Sequence, residues 1–152
     1  MAIVPFTDPA RRALVGQQVN AEEWNTFSRV ATNTDVTPIG MGQPVQRVAG
    51  SNRGVEAWDG TSDVAGVTVW TIYADTVTGF AEGSEVPVAS MGILGVAAGD
   101  DCTAGAPAGY DPATDRWADV GDDFVAVPGV EFDTNAGAGA IVEIRVNRPA
   151  AS

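Results

Sequence analysis

The chain has 152 residues, 45% of them hydrophobic, which is enough to bury one sizeable core. Its 20 acidic residues outnumber its 8 basic residues, all arginine, and a formal net charge of −12 makes nucleic acid and anionic membranes poor candidate partners. The lack of histidine removes the usual general base, and the single Cys102 excludes an intramolecular disulfide and a cysteine-rich metal site.

Residues 1–54 differ from the rest of the chain because prolines and polar runs interrupt their hydrophobic pattern. Within them, Asn20 is a possible helix cap, and Trp24, Phe27 and Val30 fall at helical spacing. We therefore predict an extended N-terminal arm over residues 1–54 that contains one short helix over residues 20–30. The N-terminus lacks the uninterrupted apolar run of a signal peptide, which predicts folding in the cytoplasm.

Residues 55–148 carry short runs rich in valine and threonine, separated by turn signals. Asp59-Gly60 predicts a turn, and residues 110–117 predict a hairpin because Asp111-Pro112 suits a type I turn. The series predicts an all-β fold, a small antiparallel β-barrel or sandwich, with a disordered tail at residues 149–152. The predicted strands span residues 55–58, 65–73, 86–90, 93–97, 124–127, 130–133 and 139–146.

Carboxylates are the remaining candidates for chemistry. In principle they could serve acid–base catalysis or calcium binding, but adjacent aspartates on a strand point to opposite faces. We interpret them as solvated turn residues and predict no catalytic residue, no cofactor and no metal site. The pairs considered are Asp59 with Asp63, Asp100 with Asp101, and Asp122 with Asp123.

Arginine and tryptophan supply the interface candidates, since both suit desolvated contacts between proteins. Trp24 is expected to anchor the helix to its own or another subunit's β body. Trp117 either packs against Tyr110 or contacts a neighbour. Five of the eight arginines lie in the first 55 residues and are candidates for binding a partner: Arg11, Arg12, Arg29, Arg47 and Arg53.

Four stretches, in this order, resemble those of the structural cement proteins of tailed phages. They are a "xDGTSxVAGV" stretch, a "VxSxGxxxV" strand pair, a "YDxxTxRW" hairpin and a closing "PGxxFxTxAxAGxxxxxRxN" unit. In this chain they occupy residues 58–67, 88–96, 110–117 and 128–147.

The resemblance implies a capsid decoration protein on the outer surface of the virion head, which binds the major capsid protein and stabilises capsomer junctions against the pressure of packaged DNA. We expect a homo-oligomer, a trimer rather than a dimer, because a trimer at a three-fold position can bridge three capsomers. The acidic charge predicts that it contacts neither nucleic acid nor membrane. Two alternatives remain open at this point: a β-sandwich adhesion or carbohydrate-binding module, and a carboxylate-dependent hydrolase.

Overall fold

The computed structural model describes residues 15–71 and 79–147, with residues 20–23 described by their backbone alone. The predicted tail at residues 149–152 lies outside the described residues. The described part of the chain is built of strands, as predicted, and contains no helix that could span a membrane. The strands are β1 (Gln18–Ala31), β2 (Pro44–Arg47), β3 (Gly54–Ala57), β4 (Val64–Thr68), β5 (Glu85–Ala97), β6 (Pro107–Asp111), β7 (Arg116–Asp119), β8 (Val125–Phe132) and β9 (Ile141–Asn147).

The first five strands close into a small barrel in the order β1-β3-β2-β4-β5. Closure occurs because β1 runs parallel to β3, with Val30 opposite Gly54, and antiparallel to β5, with Arg29 opposite Val86. The barrel confirms the predicted fold class. Its interior is filled by small and β-branched residues together with Phe80: Ala31, Ile39, Val45, Val55, Val86 and Val88.

Strand β5 is 13 residues long and also belongs to the second half of the molecule. Its residues 91–97 pair with β9, and the sheet continues through β8 and β6 to β7. A bridge between Ala98 and Trp117 brings β7 back to the end of β5. The larger core lies here, and Cys102 is a small buried residue within it, as predicted.

The predicted helix over residues 20–30 is wrong, because these residues form part of β1. The spacing of Trp24, Phe27 and Val30 does not produce a buried helical face, and the Phe27 side chain is 37% exposed. Strand pairing with β5 from Gln18 to Val30 overrides the local spacing, with extra residues accommodated between Asn20 and Asn25. The described part of the predicted arm, residues 15–54, thus supplies β1, β2 and the first residue of β3.

Two pairs of predicted strands are each one continuous strand. Residues 86–90 and 93–97 both lie in β5, which continues through Gly92 at a φ of 138°. Residues 124–127 and 130–133 fall largely within β8, which continues through Gly129 at a φ of 77°. Glycine adopts these backbone angles at little cost, so a residue that signals a turn in the sequence instead bends a strand.

Candidate functional site

The Asp59-Gly60-Thr61-Ser62 stretch builds a turn. Asp59 Oδ1 accepts hydrogen bonds from the backbone N–H groups of Thr61 and Ser62, each at 2.8 Å. The indole N–H of Trp58 donates to the Ser62 carbonyl oxygen at 2.6 Å. The hydrogen bonds from the backbone N–H groups of Ser62 and Thr61, together with those from their hydroxyl groups, hold the pKa of the Asp59 carboxyl well below its usual range. The stretch therefore supports the fold through an internally satisfied turn.

The predicted hairpin over residues 110–117 is confirmed, and its motif residues also contact one another. The Tyr110 hydroxyl donates to Asp115 Oδ1 at 2.9 Å, and burial is the main cause that raises the pKa of this phenol. Tyr110 meets Trp117 edge to face with ring centroids 5.1 Å apart. Trp117 is 0% exposed, so of its two predicted roles it packs within its own chain.

The carboxylate doublets lie at one end of the molecule, which we call the acidic end and define as residues 100–123. This segment holds seven aspartates and one arginine. Asp119 accepts hydrogen bonds from the backbone N–H and the hydroxyl of Thr103, at 2.8 and 2.6 Å. Within residues 15–71 and 79–147, no group of three or more His, Cys, Asp or Glu side chains is placed to hold a metal ion. The acidic end is thus a strongly negative surface.

Three of the candidate arginines lie together at the opposite end of β5, in what we call the basic corner: Arg29, Arg47 and Arg53. The Arg53 carbonyl oxygen accepts a hydrogen bond from the Val30 N–H at 3.0 Å, which places Arg53 beside Arg29. Arg47 lies opposite Val55, whose other neighbour in the barrel is Ala31. Arg47 and Arg53 are exposed. The end of β2, the start of β3 and the end of β1 therefore place three cations at one margin of the barrel.

The charges of the basic corner are available to a partner. Arg47 and Arg53 have no carboxylate within salt-bridge distance among the described residues, whereas Arg145 pairs with Asp133 at 3.1 Å. Arg29 lies over the Phe27 ring, 5.0 Å from its centroid, and this contact orients its guanidinium without neutralising it. In a chain of net charge −12, unpaired arginines at one margin form a distinct surface.

The basic corner and the acidic end are separated by the length of β5. Arg29 lies opposite Val86 at the start of that strand, while Asp100 follows its end. Thirteen extended residues at roughly 3.3 Å each have a contour length of about 40 Å, which the bend at Gly92 shortens. The acidic end therefore holds seven aspartates, while at the other end of this direction the three arginines lie close to Glu56 and Glu85.

Of the other interface candidates, those that the structure describes lie outside the basic corner. Trp24 is half-buried and packs against the larger core, which agrees with a role in anchoring its segment to its own β body. Arg11 and Arg12 lie outside the described residues.

Exposed apolar side chains on β1 and β5 were missed by sequence analysis. Val19, Phe27 and Met91 are between 37% and 40% exposed. Phe27 was assigned to a helix, where its spacing from Trp24 and Val30 indicated a buried stripe. Nothing local distinguishes a strand from a helix here, because the pairing of β1 depends on residues about 60 positions away in the sequence.

Comparisons with known proteins agree on the class of this chain. Residues 6–147 match the family described as structural cement protein (E217 gp24/Pam3 gp6). A chain from the capsid of Myoviridae phage XM1 has a TM-score of 0.65 at 16% identity, covering 89% of this chain and 90% of that one. The head fiber gp8.5 N base of bacteriophage phi29 has a TM-score of 0.53 at 13% identity, covering 85% and 98%. At these identities the two structures show a shared fold. No curated protein sequence matches the chain.

Proposed function

Because this chain belongs to the phage structural cement protein family, we propose that its basic corner is the surface that binds the shell. Its role is that of a capsid cement or decoration protein, and its location is the virion capsid. We propose the major capsid protein as the partner and the outer surface of the head as the place of attachment. The observation that carries the proposal is the set of arginines at the corner, two of which have no acidic partner among the described residues.

The difference in charge between the acidic end and the basic corner supports one orientation on the shell. Arginine forms bidentate, charge-assisted hydrogen bonds with carboxylates, and these survive desolvation better than lysine contacts. An acidic patch on a capsid subunit would attract the basic corner and repel the acidic end. The protein would therefore stand with residues 100–123 facing solvent.

The proposed mechanism is multivalent clamping by a homo-oligomer, for which a trimer at three-fold and quasi-three-fold positions is favoured over a dimer. Once one protomer is bound, the others bind at high effective concentration, so modest contacts give tight retention. A protein that prefers the intact shell to the ruptured one stabilises it by about 2.7 kcal/mol per site at a hundredfold excess over its dissociation constant. We propose that residues 1–14, with Arg11 and Arg12, add to the attachment.

Two observations favour the cement role over the alternative hypotheses. A carbohydrate platform built on tryptophan would need exposed indole rings, but Trp58 and Trp117 are 4% and 0% exposed, and Trp24 and Trp70 are half-buried. Of the carboxylates that a hydrolase could use, Asp59, Asp111 and Asp119 accept hydrogen bonds that build turns and loops. A structural role through binding energy is the function that these side chains favour.

The experiment that tests the function compares DNA release on heating from bare heads, decorated heads and bare heads to which purified protein has been returned. We expect bare heads to release DNA at the lowest temperature. The returned protein should raise that release temperature in proportion to its occupancy of the heads. Three coincident release curves would contradict the stabilising role even if the protein bound the heads.

A further inference from the structure

The outer edge of β1, over residues 24–29, is an unpaired strand edge among the described residues. On one side, this segment pairs antiparallel with β5. On the other side, β3 pairs with β1 only at Val30 and Ala31. The four residues from Asn25 to Ser28 are all exposed.

The backbone groups that this edge presents can be identified from the register. The Val30 N–H donates to Arg53 on the β3 side. Alternate residues of a strand direct their N–H groups the same way, so the N–H groups of Thr26 and Ser28 also point away from β5. Pro87, which has no N–H, lies opposite Ser28, where no ladder bond to β5 is required.

The side chains at the edge favour a partner that is both apolar and acidic. Phe27 presents an exposed ring, and the Arg29 guanidinium lies against it. Arg29 Nη1 donates to the Ser28 carbonyl oxygen at 3.2 Å, so the cation occupies the edge itself. A charged residue on a strand edge discourages non-specific pairing with other strands. The carboxylate of an incoming strand would offer Arg29 a stronger bond than the Ser28 carbonyl oxygen does.

We propose that the outer edge of β1 accepts an extended segment of a capsid subunit as an added strand, which places an apolar side chain against Phe27 and a carboxylate on Arg29. This inference rests on the proposed function and specifies how the basic corner is used. Main-chain hydrogen bonds to Thr26 and Ser28 supply affinity, while Phe27 and Arg29 supply specificity.

Membership of the structural cement protein family favours a capsid segment over a second copy of this chain as the occupant. Residues 24–31 contain Arg29 and no carboxylate. Two copies paired in parallel along this edge would place Arg29 beside Arg29, and a second copy could bring the Glu22 and Glu23 positions of its β1 towards Arg29 only in an antiparallel pairing. Glu85 on the neighbouring strand already accepts a hydrogen bond from the Ser28 hydroxyl at 2.6 Å.

The test measures amide hydrogen exchange at single residues of the full chain, free and bound to purified bare heads. We expect exchange at Thr26 and Ser28 to slow by about tenfold or more on binding, because their N–H groups gain acceptors. The Phe27 and Arg29 amides, which face β5, serve as internal references that change little.

A variant provides the second measurement. Thr26→Pro removes an N–H that faces outward and leaves the pairing with β5 intact, so we expect head binding to weaken by about tenfold or more. Thr26→Ala is the matched control that keeps the N–H and should bind like the unchanged protein.

Each outcome decides a separate question. If the unchanged protein binds heads while the Thr26 and Ser28 amides exchange as in the free state, strand addition is overturned and the cement role stands. If those amides are already protected in a free dimer, the occupant is a second copy and the proposal is likewise overturned. Failure of the unchanged protein to bind heads would overturn both the proposed function and this inference.

Discussion

The indole N–H of Trp117 donates a 2.8 Å hydrogen bond to the carbonyl oxygen of Gly42. Trp117 belongs to β7, at the far end of the second half of the sheet, whereas Gly42 precedes β2 of the barrel. The bond thus joins the two halves that share β5. The Trp117 end of this bond is fully buried, so removing the indole N–H would leave the Gly42 carbonyl oxygen without its donor in a site shielded from solvent.

Trp117→Phe is expected to lower the free energy of unfolding by about 1–3 kcal/mol, because the Gly42 carbonyl loses its donor in a buried setting. Urea unfolding followed by far-ultraviolet circular dichroism measures this. Trp70→Phe, at a half-buried ring, is the comparison, since the Trp70 indole N–H has no hydrogen-bond partner among the described residues. Equal losses for the two variants would show that ring volume, and not the hydrogen bond, sets the cost.

Gly66→Ala is expected to destabilise the fold by about 1–3 kcal/mol through overpacking. A Cβ atom at Gly66 would lie 2.4 Å from the Ala89 carbonyl oxygen and 2.6 Å from Val88 Cγ1, so β4 and β5 would have to separate. Gly121→Ala meets only the Asp119 carbonyl oxygen at 3.8 Å and serves as the control. Thermal unfolding midpoints compare the two, and an unchanged midpoint for Gly66→Ala would contradict this close packing.

Asp59→Asn is expected to destabilise the protein at neutral pH, with a difference that shrinks under acid conditions. The folded-state pKa of Asp59 is lowered from 3.8, first by the backbone hydrogen bonds of Ser62 and Thr61. The stabilising contribution of the Asp59 carboxylate is therefore present above a pH of about 3.8. It is lost as the pH falls through the lower pKa of the folded state.

Unfolding of Asp59→Asn and of the unchanged protein should be measured from pH 7 down to pH 2. Asp63→Asn is the control, because the exposed Asp63 carboxylate accepts no hydrogen bond within the described residues. A difference between Asp59→Asn and the unchanged protein that stays constant across this range would show that the carboxylate charge does not matter.

Reversing two charges of the basic corner, Arg47→Glu with Arg53→Glu, is expected to weaken head binding by about tenfold, or about 1.4 kcal/mol. Raising the salt concentration should narrow the difference, because exposed charges are screened. Arg116→Glu, at the acidic end, is the control, and unfolding midpoints establish that all variants fold. A greater loss of head binding from Arg116→Glu than from the double variant would place the attachment surface at the acidic end.

The all-β class, the Asp59-Gly60 turn and the hairpin from Tyr110 to Trp117 were predicted from sequence because local chemistry specifies them. An aspartate oxygen that accepts nearby backbone N–H groups forms the same turn in any fold. The concentration of arginines in the first 55 residues could likewise be counted. The order of the four family motifs identified the function, although the structure assigns those residues to turns and packing.

Only the tertiary structure decided what β1 is and where its arginine lies. Trp24, Phe27 and Val30 fit a helix by spacing, and the pairing of Arg29 with Val86 and of Val30 with Gly54 makes the segment a strand. Arg29, Arg47 and Arg53 form one corner because β1, β2 and β3 meet at the same margin of a closed barrel. Hydrogen bonding between distant segments sets that closure, and its free energy exceeds the small local preference of any single stretch.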